Sequence, residues 1–366
     1  MFYFIKVFMS RWLLTLLLAI SVLFMLVIMP TATADIKNWE TIIDEYDNVY
    51  EGDVQDGQCH GIGRMIFSTT DIYTGEWADY FISGLGVLMS SDGSRVTSSW
   101  KEDYLNGYSI QTGADGNKIV GQMKNSMLDG MGVVLYSDGV QYLGEFEEHA
   151  LNGFGALIYE DGSTEIGLFE NGDYMGKPYD EEMIGIFTYP NGDEYTGEMK
   201  DGKRDGYGRL TREDGQILEG YFDNGFLSKG YFYTSNGWRF VGSFTNGRLN
   251  GAAAAINVNQ VYVGDFVNNV RKGEGAILWR DTDDAYVGGM SKFLSDGKGI
   301  YTKSEGDVYI GEFSNGQYAG KGIQFDKNGD IYEGGFANGK REGEGVIRYS
   351  DGRTYEGLFT NGTPGR

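Results

Sequence analysis

The sequence predicts an all-β chain: an elongated, single-layer antiparallel meander of stacked β-hairpins, a repeat solenoid, preceded by an N-terminal hydrophobic helix. Three observations predict it. Aromatic-x-Gly-x-aromatic words recur from "YEGDV" at Tyr50 to "YEGLF" at Tyr355, mostly 23 residues apart. Within a word the residues alternate, so that Tyr332, Gly334 and Phe336 share one face of a strand. Between words lie turn dipeptides such as Asn338-Gly339 and Asp351-Gly352, which supply the positive φ that tight hairpins need.

Composition narrows the function classes. The 366 residues include 58 Gly and only 4 Pro, with 26 Tyr, 21 Phe and 6 Trp, too aromatic for a flexible linker. Acidic side chains outnumber basic ones by 53 to 30, and the net charge of −23 repels nucleic acid and gives no general attraction to anionic lipid. An anionic partner therefore needs a local basic patch. Cys59 is the single cysteine, and His60 and His149 are the two histidines, so an intrachain disulfide, a thiolate cluster and an imidazole-rich metal site are excluded. No cofactor is expected. His149, which follows Glu147 and Glu148, reads as an exposed loop residue.

Residues 1–34 carry Lys6 and Arg11 ahead of Leu13 to Met29, seventeen uncharged residues spanning about 26 Å as a helix. Ala32-Thr33-Ala34 then has the small-x-small form of a signal peptidase site, with Ala34 as the candidate cleavage residue. The segment reads as a signal peptide or a retained signal anchor. In either case Lys6 and Arg11 stay cytoplasmic and the rest of the chain is exported. Residues 35–49 form an N-terminal capping segment. There Ile36, Trp39, Ile43 and Tyr46 at helical spacing predict a short helix.

The repeats occupy residues 50–176 and 185–366. Their second strand also alternates: Gly343, Gly345, Ile347 and Tyr349 share a face, with Glu344, Val346 and Arg348 on the other. A strand glycine leaves a hollow, so the Tyr and Phe of one hairpin are expected to cover the Gly-x-Gly of its own or the adjacent hairpin. Some thirteen repeats of two strands would extend for about 120 Å. Between the halves, residues 177–184 break the spacing with "KPYDEEMI". Pro178, Tyr179, Asp180, Glu181 and Glu182 read as a partner-contact loop, with tolerated surface decoration as the alternative.

Copies such as "YTGEMKDGKRDGYGRL" from Tyr195 and "YEGGFANGKREGEGVIRYSDGRTYEG" from Tyr332 resemble the MORN (membrane occupation and recognition nexus) repeat, over about residues 50 to 362. The resemblance implies a hairpin-stacking scaffold for protein or membrane contacts. It names no partner.

Little else carries chemistry. The Gly-x-Gly copies lie between strands and not ahead of a helix, so they form no phosphate loop. Asp281, Asp283 and Asp284 in "DTDDAY" are weak calcium candidates, against a solvated acidic turn. No catalytic constellation is found, and the chain reads as a non-enzyme. The expected function is an exported or membrane-anchored scaffold for protein partners of unknown identity, with direct phospholipid binding or envelope-glycan binding as alternatives.

Overall fold

A buried tyrosine organises most of the repeats. In the computed structural model, which describes residues 39–178 and 184–365, Tyr332 is fully buried across Gly334 and Gly345, which are partners on adjacent strands. A Cβ on either glycine would lie 2.5 Å from the Tyr332 hydroxyl. Only glycine leaves room for the ring. The hydroxyl donates to the Gly335 carbonyl at 2.9 Å, beside the β-bulge that shifts the register between Gly334 and Phe336. Tyr50, Tyr73, Tyr142, Tyr195, Tyr262 and Tyr309 each donate to the carbonyl three residues on, at 2.8 to 3.2 Å. Edge-to-face contacts join successive rings, as where Phe336 meets Tyr332 at 5.2 Å and Tyr309 at 4.9 Å.

The two glycines of Gly-x-Gly have different tasks. Gly345 is covered by Tyr332 as the alternation predicts. Gly343 is not covered: its φ of +81° is what requires glycine, and the space where a Cβ would go is open.

Many acids serve the backbone. Glu76, Glu145 and Glu198 accept the N–H groups of Leu85, Phe154 and Tyr207, nine residues on, at 2.8, 2.6 and 3.2 Å. At the Asp-Gly edge, Asp71, Asp307 and Asp330 accept N–H groups of the following repeat, from Ser91, Lys327 and Ser350. Part of the acidic excess is therefore architectural.

Among the described residues the strands form two continuous antiparallel meanders, of thirteen strands from Trp39 to Gly176 and of seventeen from Gly185 to Pro364. They do not continue into one extended layer. The second sheet folds back on the first, so that Arg95–Lys101 packs on Ala285–Ser291 and Met127–Leu135 on Arg248–Ile256. Val87, Ile110, Val133, Leu143 and Ala156 meet Val263, Ala276, Val287, Ile300 and Ile310 in one fully buried layer. The single-layer rod is thereby corrected to two layers, because these apolar residues stand on the face the tyrosines leave bare.

Each fully buried Val or Ile contributes about 1.5–3 kcal/mol. Half-exposed ion pairs add about 0–1 kcal/mol each. Apolar burial therefore closes the sheets, and the polar margin selects their register. Lys229 pairs with Glu145 at 2.8 Å, Lys298 with Glu76 and Lys118 with Asp283, while the Thr97 and Thr302 hydroxyls lie 3.0 Å apart. The chain reverses between the four-residue strands Asp173–Gly176 and Gly185–Thr188. Next to Pro178, which has no N–H for a ladder, Lys177 reaches fully buried Glu219 at 2.6 Å, and Arg209 holds the same carboxylate at 2.8 Å.

Trp39–Ile43 is a strand, not the expected helix. Thr41, Ile42 and Ile43 are β-branched, and the edge of Val49–Gln55 offers them backbone partners. Trp39 leaves the helical pattern to pack near Phe325, under the Arg348 guanidinium 4.6 Å away. The hydrophobic segment at residues 1–34, including Ala34, lies outside the described residues. Among those described, none forms a helix, and no helix is long and apolar enough to cross a membrane.

Two substitutions test the tyrosine lock. Tyr332→Phe removes one hydrogen bond and should destabilise by about 1 kcal/mol. Gly345→Val displaces the ring and should cost about 1–3 kcal/mol. Thermal melts of the full chain check both, and unchanged midpoints would refute the packing.

Candidate functional site

The outer faces of the two sheets differ. The first has, beside its rings, Cys59, Ile82, Leu105, Leu128, Leu151 and Tyr174 at one recurring position opposite the end of the first strand of each repeat, none of them charged. In the second sheet the same position holds Arg204, Leu227, Leu249, Arg271, Ser295, Tyr318 and Arg341. Three guanidinium groups thus enter an aromatic surface.

Their surroundings are not alike. Arg204 donates from Nε and Nη2 to the Gly225 carbonyl at 3.1 and 2.7 Å, among Tyr189, Tyr195 and Phe222. Arg341 pairs with Asp326 at 2.7 Å and lies 4.9 Å from the Tyr332 ring. Arg271 is only 5% exposed and stacks 4.1 Å from the Tyr262 ring, with Trp238 at 5.4 Å and Phe293 at 5.9 Å. Its Nη2 donates to Gln260 Oε1 at 3.1 Å. Burial pulls the Arg271 guanidinium down to about 10, still charged at neutral pH.

Next to it the ring ladder changes geometry. Phe240 stands where most repeats have tyrosine, and without a hydroxyl it makes no bond to a bulge carbonyl. Ala253 and Leu249 crowd the hollow over Gly242. Phe240 instead stacks nearly flat on Phe232 at 6.0 Å and on Trp238 at 5.7 Å, each at 23° between planes. The half-buried rings form a shelf beside Arg271. Ala253, standing opposite Gly242 where most repeats have a second glycine, thus accounts for the shelf. Behind it, between the sheets, a cavity of about 230 Å³ is lined by Met131, Val241, Ala252 and the Lys229–Glu145 pair.

The residues singled out in the sequence lie elsewhere. Asp283 is engaged by Lys118, and Asp284 accepts from the Tyr301 hydroxyl at 2.6 Å and the Ser304 N–H at 3.0 Å. Among the described residues no three His, Cys, Asp or Glu side chains gather into a metal-binding group, and Asp281 joins none. Pro178 adjoins Lys177 at the reversal, while Tyr179, Asp180, Glu181 and Glu182 lie outside the described residues.

His149 is half-buried, and its Nδ1 accepts the Leu128 N–H at 3.0 Å. Asp103, Ser126 and Asn269 serve the equivalent N–H of their repeats. Burial lowers the His149 pKa. Because the folded value lies below the unfolded one, its stabilising contribution is intact above about pH 6.5 and is lost as pH falls through that range. The melting temperature of the native chain should therefore drop more between pH 7.5 and 5.5 than that of His149→Asn. Equal drops would contradict this role.

The MORN repeat family matches residues 50–72, 73–95, 120–141, 142–164, 181–194, 195–217, 262–283, 309–331 and 332–352, more than half of the chain. A comparison with curated proteins returns no match. Among solved structures, the TCP domain of SAS-4 (dCPAP) of Drosophila melanogaster is similar at 11% identity and TM-score 0.19, over 59% of this chain and 96% of that one. The TCP10 domain of CPAP from Danio rerio is similar at 10% identity and TM-score 0.14, over 80% and 96%. A streptogramin B lyase is similar at 13% identity and TM-score 0.13, over 74% and 81%.

Proposed function

Because the chain belongs to the MORN repeat family, whose repeats are in general non-catalytic modules for protein and membrane interaction, we propose that it is a binding scaffold whose working surface is the outer face of its second sheet. One observation carries this reading. Along most of their length the inner faces cover each other, and of the two outer faces the second presents half-buried Phe232, Trp238, Phe240, Trp279 and Tyr301 together with guanidinium groups. Large aromatic and arginine side chains are the groups that anchor protein interfaces. A protein segment is the favoured occupant.

Residues 1–34 supply the location. Their uncharged run, its two preceding cations and the Ala32-Thr33-Ala34 site support export or membrane anchoring of the repeat region. Direct phospholipid binding is the second reading. The guanidinium groups on the second sheet are the local cations it would require, although the net charge of −23 opposes it.

A photo-crosslinking amino acid placed at Trp238, and separately at Val96 on the outer face of the first sheet, tests the surface in the full chain in cells. Protein adducts should form from position 238 and not from 96. Equal adducts, or lipid adducts alone at 238, would overturn the protein-binding reading.

A further inference from the structure

Arg271 is the least compensated charge on the proposed binding face. Among the described residues it makes no ion pair, and Gln260 is its one hydrogen-bond partner. A buried cation is costly unless an anion meets it. The repeats supply an internal control for what the fold needs at this position. Leu227 and Leu249, opposite Phe222 and Phe244 as Arg271 is opposite Phe266, fill it without any charge. Packing therefore does not demand arginine there.

Arg341 shows how the same framework satisfies an arginine internally. Its partner Asp326 is the first residue of a turn, where its N–H bonds the Asp330 carbonyl. In the Arg271 repeat the corresponding turn opens with Asn257, whose N–H bonds the Gln260 carbonyl. The position that would hold the counter-charge is neutral. Arg204, the third of the set, is satisfied by the Gly225 carbonyl.

The surroundings suit a ligand. Tyr262 backs the guanidinium and Trp238 of the shelf flanks it. On the solvent side stands Phe293, 51% exposed in the turn of Ser291–Leu294, with its ring 5.9 Å away. An exposed turn side chain changes rotamer readily. We infer that Arg271 is a recognition site for a single carboxylate, an Asp or Glu side chain of a protein segment lying on the aromatic shelf, reached when Phe293 swings aside. A carboxylate matches the planar fork of one guanidinium with two parallel hydrogen bonds. A phosphate group carries nearly twice the charge and is served by clusters of cations, whereas one guanidinium stands here.

The inference rests on the protein-binding reading of the second sheet and adds the chemistry of the bound segment. Selection of a displayed library of random 12-residue peptides on the full chain, with Arg271→Leu and Trp238→Ala as counter-targets, tests both separately. Arg271→Leu reproduces the residue at Leu227 and Leu249, so it should fold with a melting temperature no lower than that of the native chain. Selected peptides should carry an acidic residue beside an apolar one. They should lose affinity by at least about tenfold against Arg271→Leu and on changing that acid to its amide. Phe293→Ala should tighten them. Peptides that need Trp238 but bind native and Arg271→Leu chains equally would overturn the carboxylate site and leave the shelf standing. Peptides enriched without dependence on either residue, or none enriched, would overturn both. Tighter binding of a phosphoserine replacement would also overturn the carboxylate.

Discussion

The structure depends on one interaction: a tyrosine ring laid over two glycines, with its hydroxyl bonded to a carbonyl at a β-bulge. The ring needs a Cβ-free floor, and its hydroxyl satisfies a carbonyl beside the bulge, so the two features support each other wherever tyrosine is present. Stacking repeats then turns single locks into an edge-to-face ladder that covers its own side of the sheet. The opposite side gains nothing from this. Its Val, Ile and Ala residues must be buried by something else, and the other half of the chain does it. With the middle of the inner faces closed, the ladder faces are the broad sheet surfaces left open, and the second ladder is the one carrying arginine and loosened rings.

Much of this was legible in the sequence. Parity placed Tyr332, Gly334, Phe336 and Gly345 on one face, and the Asn-Gly and Asp-Gly dipeptides marked the turns, as in Asn338 and Gly339 with φ of 52° and 77°. The second layer was missed because the copies closest to the family pattern, around Tyr195 and Tyr332, have polar inner rows such as Glu344 and Arg348. The signal lay in the less typical copies. In "SGLGVLM" and "DGMGVVL" both parities are apolar, as Val87 and Val133 on one face and Leu88 and Val134 on the other show, and a sheet with one face in water does not carry that pattern. The helix expected over Asp35 to Tyr46 failed for a different reason. Four apolar residues at helical spacing were outweighed by β-branched chemistry and an available sheet edge.

The binding face was harder to read. Arg271 sits in "NNVRKGEG", an ordinary repeat word, and nothing local says that its guanidinium lacks a counter-charge. That fact needs the register, which sets Arg271 opposite Phe266, and the turn in which Asn257 stands where Asp326 serves Arg341. Ala253 does not by itself announce the shelf, because its effect shows only in Phe240, displaced onto Phe232 and Trp238. Conversely, several acids serve the backbone, since Glu76, Glu145, Asp284 and Asp330 hold backbone N–H groups.

The face-to-face closure of the two sheets is the claim on which the choice of binding face rests. Thr97 and Thr302 lie 205 positions apart in the chain, yet their hydroxyls are 3.0 Å from one another across the layers. Replacing both by cysteine and oxidising mildly measures the closure directly, and buried Cys59 does not compete. A disulfide formed within one monomer, without loss of folding, is the predicted result. Thiols that stay free, or that link only between chains, would contradict the folded-back architecture and return both inner faces to the list of binding surfaces.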